Sequence, residues 1–152
     1  MKRILILLTG AMFISTFTKA QTAEDSAKAV VNQLFTAMKN VDAAMLKDAF
    51  ADSAVLQTIR RKQDGTFFVQ NEKVSDFVNS ISTAKKDSLD ERITFETVKV
   101  DGPLASVWTP YKFYLGNHFS HCGVNVLQLM KTTDGWKIIY IVYTIRNDNC
   151  IQ

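Results

Sequence analysis

His118, His121 and Cys122 crowd into one short stretch, and Cys150 follows near the end of the chain. Imidazole and thiolate are zinc ligands, and a thiol beside an imidazole is the start of a nucleophile–base pair. The spacing argues against both. Neighbours on a strand point to opposite faces, so His121 and Cys122 cannot share a site. Two histidines and one thiol on so short a segment do not easily converge on a single ion. A disulfide is the better reading, because Cys122 and Cys150 are the only cysteines of a chain that reads as exported. It would tie the tail to a strand, closing a loop of roughly 28 residues and contributing roughly 3 to 4 kcal/mol on the chain-entropy account. Two free thiols are the alternative.

A second group of polar residues is found by phasing the last hairpin. A turn over Thr132 to Gly135 that pairs Lys131 with Trp136 puts Gln128 and Lys137 on one face, away from the core. The opposite face then carries His121, Asn125, Leu127 and Leu129 on one strand. Its partner adds Trp136, Ile138, Tyr140, Val142, Thr144 and Arg146. Extended across the Gly116-Asn117 turn, Trp108 and Tyr114 join them. The closed end of this face is apolar, while the far end gathers His121, Asn125, Thr144 and Arg146. An apolar floor with a few convergent polar groups is what small-molecule pockets look like. An ordinary sheet–helix core with a polar rim would give the same pattern.

The elements that must hold these groups come in a simple order. Ala27, Val30, Val31, Leu34, Phe35 and Met38 recur at helical spacing, predicting an amphipathic helix over Ala23–Lys39 capped by Thr22 or Asp25. Asp42 can cap a short second helix with Ala43, Leu46, Ala49 and Phe50 on one face. Ala54–Arg60 reads as a strand, Asp64-Gly65 as a hairpin turn and Phe67–Val69 as its short partner. Helical spacing returns over Asn71–Thr83, and Ala84–Asp90 reads as a charged surface loop. From Ile93 the period is two, with strands over Ile93–Val100, Ala105–Leu115, Phe119–Met130 and Trp136–Arg146. Helices first and a curved antiparallel sheet last predict one α+β domain.

Residues 1–20 precede that domain and read as a signal peptide. Lys2-Arg3 form a positive start, Ile4 to Phe17 are almost wholly apolar, and Thr18-Lys19-Ala20 offers a small-residue cleavage site after Ala20. The apolar run is shorter than the roughly 20 residues of a comfortable membrane span. The expected mature chain, 21–152, is therefore periplasmic or secreted and free of the membrane. Lys2, Arg3 and Lys19 leave with the leader, so 18 basic residues become 15 against 15 acidic ones. A neutral chain has no electrostatic footprint for nucleic acid. Arg60-Arg61-Lys62, with Asp64 close behind, reads as a solvated strand end. No metal cluster or cofactor-binding motif stands out.

Phe50-Ala51-Asp52-Ser53-Ala54-Val55-Leu56, Trp108-Thr109-Pro110-Tyr111-Lys112-Phe113-Tyr114, His118 to Asn125, Asp134-Gly135-Trp136-Lys137-Ile138 and Tyr143-Thr144-Ile145-Arg146 carry a resemblance. Together with the element order they make the chain, from Ala23 to Cys150, similar to the cone-shaped fold of the nuclear transport factor 2-like superfamily, among its exported bacterial members called SnoaL-like or putative lumazine-binding. The resemblance implies a domain that binds a small apolar or aromatic ligand, with Trp108, Tyr114, His121, Asn125, Tyr140, Thr144 and Arg146 as lining. Catalytic members imply an alternative: an acid–base enzyme of isomerase, dehydratase or cyclase type, with His121 as base, Tyr114 or Tyr140 donating to an oxyanion and Arg146 holding a carboxylate. Asn125 can orient a ligand but cannot take a proton. A third expectation is a homodimer or interaction module joined through the face bearing Val124, Val126, Ile139, Ile141 and Tyr143, too apolar to stand in water unpaired.

Overall fold

A computed structural model describes residues 22–150. The signal-peptide reading over 1–20 lies outside the described residues. The order is α1 (Ala23–Asn40), α2 (Ala43–Asp48), β1 (Phe50–Arg61), β2 (Phe67–Glu72), α3 (Val74–Ser82), β3 (Leu89–Ile93), β4 (Thr97–Asp101), β5 (Leu104–Leu115), β6 (His118–Thr132) and β7 (Gly135–Thr144). The strands form one seven-stranded mixed sheet in the order β2-β1-β7-β6-β5-β3, with β4 also on β5. β1 runs parallel to β7, and every other pairing is antiparallel. This is the α+β class expected from the pattern.

Local chemistry sets the helices. The Thr22 hydroxyl accepts from the Asp25 backbone N–H, with Glu24 and Asp25 in the first turn and Lys39 in the last, matching the helix dipole. Asp42 caps α2 by accepting from the Met45 N–H at 2.9 Å. The apolar stripe of α1, with Ala27, Val31, Leu34, Phe35 and Met38, packs on the inner face of the sheet, where Leu56, Val107, Leu127, Leu129, Trp136, Ile138 and Ile141 are buried. These fully enclosed side chains are worth roughly 1.5 to 3 kcal/mol each.

Besides a register shift between Phe50 and Val55 where β1 pairs with β7, three irregularities bear on the faces of the site. The edge read as one strand over Ile93–Val100 breaks into β3 and β4, which pair with opposite halves of β5. In β6, Leu115 pairs with His118 and Tyr114 with Phe119, but Phe113 pairs with His121, so Ser120 is an extra residue. In β7, Leu129 pairs with Ile138 and Gln128 with Tyr140, so Ile139 is extra. An extra residue bends a strand and exchanges its faces from that point on. The Thr132–Gly135 turn itself pairs Lys131 with Trp136, as expected.

Candidate functional site

Between the helices and the far end of the sheet lies a cavity of about 210 Å³. Its walls are apolar: Leu34, Phe35 and Met38 of α1, Phe77 and Ile81 of α3, and Phe113, Ile141 and Ile145 on the sheet side. Six polar side chains also line it, namely Glu72, Glu91, Tyr111, His121, Asn125 and Tyr143.

The pairing explains how most of them meet, with Glu72 joining from β2 opposite Leu56. Glu91, Phe113 and His121 sit opposite one another on β3, β5 and β6, Ile93, Tyr111 and Gly123 form the next inward row, and Thr58, Tyr143, Asn125 and Thr109 form the one after it across β1, β7, β6 and β5. The first and last of these rows are linked by Asn125, whose Nδ2 donates to Glu91 Oε1 at 2.8 Å. Asn125 is only 4 % exposed, so this contact satisfies an amide that could not otherwise be buried cheaply. His121 stacks against Phe113, with centroids 4.9 Å apart, and meets the edge of Tyr111 at 5.8 Å. Its Nδ1 shares a hydrogen bond of 3.1 Å with Ser120 Oγ.

The enclosure governs the protonation states. Burial pushes the Glu91 carboxyl up to about 7, and the bond from Asn125 only partly opposes it. The Glu72 carboxyl is also raised, by burial and by the negative charge of Asp76, with Arg60 opposing. His121 is lowered by burial and by the charge of Arg60, which favours the neutral imidazole. Burial raises the Tyr143 phenol, against a hydrogen bond to Thr58. At neutral pH the cavity therefore holds a carboxyl whose burial favours its proton and, across Phe113 from it, an imidazole whose burial favours the neutral form, each a group that can take or give a proton.

The structure corrects much of the expected lining. His121 and Asn125 face the cavity. Trp108 and Tyr114 do not: beyond the extra residue Ser120, Thr109, Tyr111 and Phe113 are the inward residues of β5, and Trp108 is 43 % exposed on the outer face. Tyr114 instead lies under the Arg92 guanidinium, 4.1 Å from its ring centre. Beyond Ile139 the faces of β7 exchange in the same way, so Ile141, Tyr143 and Ile145 point in while Tyr140, Thr144 and Arg146 do not. Tyr140 donates its phenol to Gln57 Oε1, and the Thr144 hydroxyl accepts from the Val124 N–H at 3.2 Å. The Arg146 backbone pairs with Cys122, placing its side chain outside. With Arg146 outside, a carboxylate held by it cannot lie against His121. The apolar outer face likewise carries Trp108, Val124, Val126 and Val142 rather than Ile141 and Tyr143.

Glu91, Glu72, Tyr143 and the electrostatic role of Arg60 were not anticipated. Glu91 sits in the run Lys85 to Arg92, whose charges read as surface. The alternation Leu89, Glu91, Ile93 was the available signal, since it carries the period of two back into that run. Cys122, one residue from His121 and on the opposite face, is bonded to Cys150 across a separation of 28 residues. Where β7 leaves the ladder, the Tyr111 phenol donates to the Thr144 carbonyl at 2.8 Å, passing close over Gly123. A Cβ on Gly123 would lie 1.9 Å from that carbonyl oxygen, so only glycine permits the contact.

Helices on a curved mixed sheet with a cavity at its open end define a nuclear transport factor 2-like protein. The same fold is found in a nuclear transport factor 2-like protein of unknown function from Shewanella baltica (TM-score 0.65, 12 % identity, 91 % of this chain and 100 % of that one). It recurs in a putative dehydratase from Streptomyces avermitilis (TM-score 0.60, 15 % identity, 81 % and 95 %). A putative ketosteroid isomerase from Shewanella frigidimarina shares it too (TM-score 0.58, 17 % identity, 80 % and 96 %). The chain belongs to the putative lumazine-binding family, whose sequence profile matches residues 22–144. No curated protein matches it.

Proposed function

We propose that the protein binds a small, uncharged aromatic ligand in the 210 Å³ cavity. The observation that carries this reading is the joined pair Glu91–Asn125 at the polar end of an otherwise apolar enclosure. A ring would lie among Phe35, Phe77, Phe113 and Ile141, and its heteroatoms would meet the carboxyl and the imidazole. An apolar cavity of about 150 Å³ already takes benzene, so the space suits one substituted ring or a compact bicycle. Lumazine, which the family's name suggests, is of the second kind. The experiment is NMR titration of the folded chain with neutral aromatic heterocycles, lumazine among them. Saturable shifts at His121 and Asn125 are expected, and an indifferent cavity at millimolar ligand would overturn the reading.

A second reading is favoured by one observation, the Glu91 carboxyl pushed up to about 7. Such a group can serve as base or acid beside a carbonyl, with neutral His121 or Tyr143 donating to the developing oxyanion. The proton exchange of small ketones in deuterated water tests it. Exchange catalysed by the protein and lost in Glu91→Gln would support the enzyme, and background exchange alone would remove it.

The same proposal includes export of the chain to the periplasm or medium after cleavage of residues 1–20, and a single domain over 21–152. It also includes a homodimer through the outer face, where Leu104, Trp108 and Met130 stand exposed beside Val126 and Val142. Sedimentation at the mass of one chain would sink the dimer.

A further inference from the structure

The outer face of the sheet carries a row of charge at the same level as the cavity. Arg92 pairs with Lys112, Lys112 with Cys122 and, through an isolated bridge just past β7, Cys122 with Arg146, so residues of three adjacent strands and of the segment after β7 stand in line on that face. Three are cations. Arg92 and Lys112 are directly opposed, about 5 Å apart as such pairs stand, where like charges are destabilising, while Cys122 separates Lys112 from Arg146. Arg92 is partly neutralised by Asp90, at 2.9 Å, which Lys39 shares at 3.2 Å. Among the described residues neither Lys112 nor Arg146 has a carboxylate within ion-pairing distance. Arg146 is aimed by a hydrogen bond from Nη1 to the Asn149 carbonyl at 2.6 Å, on the tail that the Cys122–Cys150 disulfide fixes to this face.

The row borders a groove of about 580 Å³ whose lining includes Arg92, Lys112 and Arg146, together with Ile93, Pro110 and the bare backbone of Gly123. Glu96 is its one acid. Tyr111 lines both the groove and the cavity, so the two abut, but Lys112 and Arg146 line only the groove, and the site they form does not depend on the reading of the cavity.

We propose that this groove is a binding site for the oxyanion of a small organic molecule, a carboxylate or a phosphate monoester, with Lys112 and Arg146 as its principal contacts and Arg92 at the rim. Lysine supplies a point charge and arginine a planar fork that can hold two oxygens at once. Ile93, Pro110 and Gly123 leave an uncharged floor for a short carbon body. Glu96 faces the groove from the β3–β4 connection and disfavours ligands whose negative charge extends to that end.

The test uses the disulfide-bonded chain in low salt without phosphate buffer. Benzoate, phenyl phosphate and inorganic phosphate are titrated separately, and backbone amide shifts are followed. The expected result is saturable movement of the amides around Arg92–Thr94, Lys112, Cys122–Val124 and Arg146 by at least one organic probe. Affinity should fall at least tenfold in the double variant Lys112→Met with Arg146→Gln. Tighter binding of benzoate points to a carboxylate ligand, and tighter binding of phenyl phosphate to a phosphate ester. Lys112→Met alone, which leaves the tail contact of Arg146 intact, should weaken binding and raise the Tm of the unliganded protein in low salt by relieving repulsion. Shifts confined to inorganic phosphate, shifts that never saturate, or equal affinity in Lys112→Met would each overturn the proposal.

Discussion

At the far end of the sheet the same strands build two different polar sites, one on each face. Glu91, His121 and Ile145 point into the cavity, and their chain neighbours Arg92, Cys122 and Arg146 point out of it. One residue of displacement separates a carboxyl whose titration burial pushes up to about 7 from guanidinium groups on the other side of the strands. Inside, the cost of burying charge is met by raising carboxyls, lowering an imidazole and joining Glu91 to Asn125. Outside, solvent screens Arg92, Lys112 and Arg146, and like charges can stand opposite one another at small cost. Alternation along a strand is therefore enough to place two kinds of chemistry back to back.

The two faces are tied together through β6, and the largest expected effect comes from cutting the outer tie. Replacing Cys122 and Cys150 by alanine should cost roughly 3 to 4 kcal/mol of stability, as the entropy of a closed loop of this length implies. Chemical denaturation with and without reductant measures it. A loss under 1 kcal/mol would mean that the tail is held by its other contacts.

The inner face can be isolated by Glu91→Gln, which keeps the oxygen that accepts from Asn125. The folded carboxyl titrates near 7 against an ordinary 4.5. Between those values the folded chain holds more protons than the unfolded one, so wild-type stability falls as pH rises through that window and levels off above it. The variant should match the wild type near pH 4 and exceed it at pH 8 by on the order of 3 kcal/mol. Parallel stability curves for the two proteins would show that the Glu91 carboxyl is not held neutral.

The smallest effect sharpens the contrast between two tyrosines of β7. Tyr140→Phe removes a bond to Gln57 at the outer surface and should cost below about 1 kcal/mol, leaving cavity ligands unaffected. Tyr143→Phe removes a phenol from the cavity wall and should weaken ligand binding severalfold. Equal effects of the two substitutions on binding would break the assignment of faces.

Much of this molecule is local and was legible as such. The stripe of α1, its Thr22 cap, the Asp64-Gly65 turn and the Thr132–Gly135 turn each depend on residues within a few positions of one another. The last turn phases β6 directly, so Leu129, Leu127, Asn125 and His121 could be placed inward by counting. The disulfide followed from there being only two cysteines in a chain read as exported. Glu91 escaped because a charged neighbourhood hides the period of two.

What only the tertiary structure decided is where the count slips. One extra residue in β6 at Ser120 turns Trp108 and Tyr114 outward, and one in β7 at Ile139 does the same to Tyr140, Thr144 and Arg146. Nothing in the composition of a strand marks such a residue, because its place is set by the curvature that lets the sheet wrap the helices. The sequence by itself determined the elements, their order and the chemistry available. The fold decided which face each residue beyond a bulge would serve, since sheet curvature is a property of all the strands together.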